Sequence, residues 1–174
     1  MAVSGIEQKI ASIFRSGAHK QEINQKAMGE DLHISPQLVS HILTGKRSFG
    51  VDRMAEIAEY LQDPDIDFKA AAELFYTPKP LDRKRRDGHP LSKMVGQDKE
   101  EMERIEIEKK NEIWDLLSIP PAEITSAEKE KVMNWLIELV DEISAEIAVF
   151  SVTCERYSID SRLVVRQSQE SVDQ

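Results

Sequence analysis

Four polar side chains, Gln37, Ser40, His41 and Thr44, stand at i, i+3, i+4 and i+7, with Lys46 and Arg47 directly behind them. On a helix that spacing gathers all four on one face. An amide, two hydroxyls and an imidazole on one face can exchange hydrogen bonds with the edges of DNA bases. A carboxamide such as that of Gln37 suits adenine, which it can meet through two bonds at once. Lys46 and Arg47 carry no such selectivity, but they neutralise backbone phosphates, and Gln25 and Ser35 at helix starts can offer further phosphate contacts. The alternative chemistry for this face is none, a helix side turned to water.

The elements that must position these residues are legible around them. Gln25–Leu32 reads as one short helix with Asn24 as its N-cap, and Ser35 caps a second that has Pro36 in its first turn, where a missing N–H costs nothing. Ala27, Met28, Leu32, Ile34, Val39 and Ile42 fall where two crossed helices share a core. Over Ile23–Leu61 the chain resembles the helix-turn-helix of the phage-repressor (Cro/Xre-type) family. The resemblance rests on Gln25, on Leu32-His33-Ile34-Ser35 across the turn, on Val39-Ser40, and on Thr44-Gly45-Lys46-Arg47. It continues through Asp52, Ile57-Ala58 and Leu61. It implies an all-α, compact five-helix lambda-repressor-like domain over residues 1–76, with double-stranded DNA as partner and the Pro36–Leu43 helix in a major groove. Two positions depart from the family pattern. His33 replaces the usual glycine of the turn, and Pro36 replaces a residue that often touches DNA.

The flanks supply the rest of such a domain. Ser4 and Glu7 have capping-box spacing, Ile6, Ile10, Ile13 and Phe14 make an apolar stripe, and Gly17 is placed to end that first helix. Val51–Leu61 turns Met54, Ile57, Ala58 and Leu61 inward. A fifth helix starting at Asp65 or Asp67 carries Phe68, Ala71, Leu74 and Phe75. Residues 77–97 hold three prolines and no sustained period, and read as a flexible basic linker. Its Arg83-Lys84-Arg85-Arg86 run suits an arm following DNA phosphates, or else a solvated spacer.

Residues 98–155 read as an acidic helical hairpin, with a first helix from Asp98 to about Leu117, a break at Pro120-Pro121, and a second opened by a Thr125–Glu128 capping box. Two helices bury little core by themselves. Trp114, Leu117, Val132, Trp135, Leu136, Leu139, Ile143 and Ile147 are therefore expected to pair protomers into a homodimer or a higher even oligomer. The competing arrangement folds the hairpin back on residues 1–76. In the tail, residues 156–174, Ile159, Leu163, Val164 and Val165 suit a short strand or helix, followed by disorder.

Composition narrows the function classes. The chain has 174 residues, 40% hydrophobic and 32% charged, with a single cysteine, which suits a helix-rich protein of a reducing cytoplasm. Its net charge of −9 is unevenly spread: residues 1–93 carry 14 Lys/Arg against 13 Asp/Glu, while residues 94–174 carry 9 against 19. Phosphate would repel only the second half. There is no Walker-type loop, GxSxG elbow, HExxH or paired cysteine. His19, His33, His41 and His89 are scattered, and Cys154 suits a packed thiol, so neither catalysis, a cofactor nor a metal is expected. The helical second half also leaves no place for the self-cleaving peptidase domain of many phage repressors. The expected function is a sequence-specific transcriptional regulator, a repressor of phage or mobile-element type. Two rivals are an antitoxin with the same DNA-binding fold, and an interaction protein whose acidic half binds another regulator or a replication protein.

Overall fold

A computed structural model describes residues 3–81 and 89–172, and every regular element among them is a helix. They run α1 (Gly5–Lys20), α2 (Gln25–Asp31), α3 (Pro36–Leu43), α4 (Val51–Leu61), α5 (Pro64–Phe75), α6 (Pro90–Lys110), α7 (Ile113–Ser118), α8 (Ser126–Tyr157) and α9 (Ser161–Val172). The described chain forms two units, one of residues 3–77 with 158–172 and one of residues 78–81 with 89–157. No helix among the described residues is long and apolar enough to cross a membrane.

In the first unit, α1 opens with a complete capping box: the Ser4 hydroxyl accepts the Glu7 N–H and the Glu7 carboxylate accepts the Ser4 N–H. This satisfies two of the donors that a helix start leaves open. Ile10 and Phe14 from α1, Met28 from α2, Val39 and Ile42 from α3, and Ile57 and Leu61 from α4 are buried together. Phe49, in the loop after α3, lays its ring 6.3 Å from that of Phe14. Gly17 does not end α1 as the sequence suggested. It is buried in the α1–α5 crossing, where an added Cβ would lie 2.9 Å from Cγ1 of Ile66, and the helix continues to Lys20. The fifth helix starts earlier than expected, at Pro64, because Asp63 caps it by accepting the Asp65 N–H. Ala27, expected in the core, is exposed, and Met28 and Gly29 are the buried positions of α2.

At the chain end the helical alternative is the one observed, and it runs further than expected, into residues read as disordered. Residues 161–172 form α9, started by Asp160, whose carboxylate accepts the Arg162 and Leu163 N–H groups. Arg162 in turn reaches both oxygens of Asp67 on α5, at 3.3 and 3.2 Å. Burial pushes the Asp67 carboxyl above its ordinary range, against the pull of that guanidinium.

The second unit is built on α6 and α8, which run antiparallel: Arg104 bonds Glu142, and further along α6 Glu108 accepts from the Trp135 indole. Gly96 on α6 and Ala145, Ala148 and Ser151 on α8 are buried, and their small size lets the helices approach closely. The expected linker is shorter than its prolines implied. Pro90 begins α6 rather than interrupting the chain, and His89 caps it by accepting the Leu91 N–H at Nδ1. The helix expected over Asp98–Leu117 is broken at Glu112, whose φ of 52° ends α6 and starts α7. At Thr125 and Glu128 the reciprocal capping bonds are both present.

Candidate nucleic-acid interface

The site is built on the α2–turn–α3 segment. Asn24 and Ser35 start the two helices, their side chains accepting the Lys26 and Leu38 N–H groups at 2.8 and 3.2 Å. Between them His33 takes a left-handed conformation, φ 54°, at the position where the family pattern has glycine. The Ile34 N–H then returns to the Gly29 carbonyl at 2.8 Å, which closes the turn. Arg53, on α4, donates to the Leu32 carbonyl at 3.2 Å and ties the exposed end of α2 to the next helix.

α3 buries Val39, Ile42 and Leu43 and turns its polar residues outward. Gln37 and Thr44 are exposed, and Ser40 and His41 are half-buried. The Gln37 carboxamide has no hydrogen-bond partner among the described residues, so its donors and its acceptor are available. Thr44 differs, because its hydroxyl donates to the Ser40 carbonyl at 2.6 Å. That leaves Thr44 an acceptor only, a narrower role than the sequence gave it.

The exit from α3 is a Schellman motif: Lys46 N–H returns to the His41 carbonyl and Gly45 N–H to that of Ile42, with Gly45 at φ 64°. Lys46 and Arg47 follow directly, exposed and without an ion pair among the described residues. Gln25 and Ser35 are exposed as well. Eight of the residues that the sequence selected for DNA contact thus lie on one helix-turn-helix and its exit loop. The other four, Arg83, Lys84, Arg85 and Arg86, lie outside the described residues.

Glu7 is the residue that sequence reading missed here. Besides its capping role it accepts from the Ser48 hydroxyl at 2.5 Å and the Phe49 N–H at 2.9 Å, both through Oε1. The Ser48 bond foremost, then the Ser4 and Phe49 N–H groups, lowers its pKa from 4.5 to about 2. A carboxylate lowered in this way stabilises the fold fully above its unfolded value, and loses that contribution as pH falls from about 4.5 through about 2. Solvent screening of this partly exposed group holds the contribution to about 1 kcal/mol or less. Glu7→Gln should therefore be less stable than the parent at pH 7, with the gap shrinking steadily below pH 4.5. Hydrogen exchange of α1 amides would measure it. A gap independent of pH would show that the carboxylate charge plays no part.

The side chains expected to pair protomers are divided by the structure. Trp114, Leu117 and Leu136 are exposed, whereas Val132, Trp135, Leu139, Ile143 and Ile147 are half-buried within their own unit. Both indole N–H groups are spent on Glu108, at 2.9 Å from Trp114 and 3.3 Å from Trp135. Met133, Ile137 and Val140 are exposed on α8 as well.

An open cleft along α1 and α5 carries Lys9, Lys20 and Lys69, but these pair with Glu73, Asp63 and Asp65 at 2.8, 3.4 and 2.6 Å, and no residue of α3 lines it. Among the described residues no group of His, Cys, Asp and Glu is arranged to hold a metal ion. Cys154 is buried. Compared with known proteins, the chain matches no family model, no curated protein and no solved structure.

Proposed function

We propose that the protein is a sequence-specific DNA-binding transcriptional regulator, with residues 3–77 arranged as in the lambda-repressor-like domains and α3 as the helix that enters the major groove. The observation that carries the proposal is the outward face of α3. Its Gln37, without a hydrogen-bond partner among the described residues, stands beside Ser40 and His41, and the face is followed at once by two exposed cations that have no ion pair among the described residues. In this reading Gln37 reads a base, Ser40, His41 and Thr44 add contacts to base edges, and Gln25, Ser35, Lys46 and Arg47 fix the domain on phosphates. The charge division supports the same assignment, since the acidity lies mostly beyond residue 93. The regulator acts as a repressor on paired sites, its protomers joined through the second unit. Exposed Trp114, Leu117, Leu136 and Ile137 support that pairing.

The test is a salt series of binding to the DNA flanking the protein's own gene and to a scrambled duplex. The native flank should win by about a thousandfold or more. Equal, weak binding to both would reject sequence-specific regulation and turn attention to protein partners of the acidic unit. Lys46→Ala and Arg47→Ala should each weaken binding to every sequence alike and lower the salt slope by about one unit. A loss confined to one sequence would instead make them base readers.

A further inference from the structure

The loop that carries Lys46 and Arg47 is anchored at three points, and its central anchor lies 41 residues away in sequence. At its start, the Gly45, Lys46 and Arg47 N–H groups are bound to α3 carbonyls, and Gly45 lies at ordinary contact distance from Gln8 of α1. At its end, Phe49 is buried against Phe14. Between these, one carboxylate oxygen of Glu7 takes both the Ser48 hydroxyl and the Phe49 N–H, while the other takes the Ser4 N–H. The carboxylate is itself held in place by its reciprocal bond with Ser4 at the first turn of α1. From this geometry we infer that Glu7 is a positioning residue for phosphate binding, acting through Ser48 to hold the Lys46-Arg47 segment in its DNA-facing conformation. The inference rests on the proposed phosphate role of those two residues.

The sign of the effect is what makes the role distinctive. Glu7 is an anion close to a site that should attract anions. As a mere charge it would repel DNA, so neutralising it would tighten binding to any duplex. As an anchor it does the opposite. Without it the segment keeps its bonds to α3 but loses its hold at Ser48, so that placing the Lys46 and Arg47 side chains on phosphates costs conformational freedom and fewer of those contacts are made.

The experiment measures the salt dependence of binding to a short duplex of mixed sequence, because phosphate contacts do not depend on the operator. It compares the full-length parent with Glu7→Gln, Ser48→Ala, Ser48→Thr and Lys46→Ala. Hydrogen exchange of α1 and α4 amides reports whether each variant is folded. Glu7→Gln and Ser48→Ala should bind about tenfold more weakly with a salt slope lower by one to two units, and Ser48→Thr, which keeps the hydroxyl, should restore both. Ser48→Ala changes no charge and alters an exposed side chain, so it keeps the test valid if Glu7→Gln fails to fold. Tighter binding by Glu7→Gln, or an unchanged slope in Ser48→Ala while Lys46→Ala lowers it, would overturn the inference. If Lys46→Ala leaves the slope unchanged as well, the phosphate role of the loop has failed, which is a separate result.

Discussion

Replacing Gly29 with alanine should destabilise the first unit by about 2 kcal/mol, although the position lies within a helix, where alanine is ordinarily better by about 1 kcal/mol. The reason is the closeness of the turn. A Cβ on residue 29 would lie 2.7 Å from the Ile34 carbonyl oxygen and 3.3 Å from the Pro36 nitrogen, both backbone atoms without rotamers to move aside. Relief requires parting α2 from the start of α3, and overpacking of this kind costs about 1–3 kcal/mol or more. Here it outweighs the gain in propensity. Gly29→Val, larger and without that gain, should cost about 3–4 kcal/mol. The expected fall for Gly29→Ala is roughly 10 °C in Tm for a domain of this size. Both tryptophans belong to the second unit, so unfolding of the first has to be followed by far-UV circular dichroism or hydrogen exchange rather than indole fluorescence. A raised Tm in Gly29→Ala would mean that the two helices are not held at this separation.

The second large effect concerns recognition. Gln37→Ala should cost about 1–3 kcal/mol at the correct site and relax the preference at one base pair, leaving binding to random duplex nearly unchanged. Its carboxamide has no partner within the described chain, and alanine is the better helix former, so no loss of folding should accompany the change. Thr44→Val makes a useful contrast. The Thr44 hydroxyl already donates to Ser40, so its removal takes away only an acceptor and should cost less than the loss of Gln37. Competition with duplexes substituted one base pair at a time would measure both. Equal losses on specific and random DNA would remove Gln37 from base reading and leave it a backbone contact.

What could be read from the sequence were features set by interactions a few residues apart. The caps at Ser4, Asn24, Ser35 and Thr125 each bind a backbone N–H two or three residues on, and the helix periods of α1, α3 and α4 show which side must be buried. The starts of these helices and a polar, outward α3 face follow from those rules alone. The same local rules misled where a residue's surroundings came from elsewhere in the fold. Gly17 looked like a stop and is a close-contact point against Ile66, and Pro90 looked like linker and is a first turn. Trp135, Leu136 and Leu139 were expected alike to pair protomers, but in the fold Trp135 and Leu139 are half-buried within their own unit and Leu136 is exposed. Gly29 has no local signal at all, because its need for a bare Cα is set by how α2 meets α3.

Glu7 holds both kinds of information in one side chain. Its bond to Ser4 spans three residues, and the sequence determined it. Its bonds to Ser48 and Phe49 span 41 and 42 residues, beyond the reach of any local rule. A capping box needs one turn of helix, whereas the grip on the loop after α3 exists only once the shared core has brought α1 and that loop together.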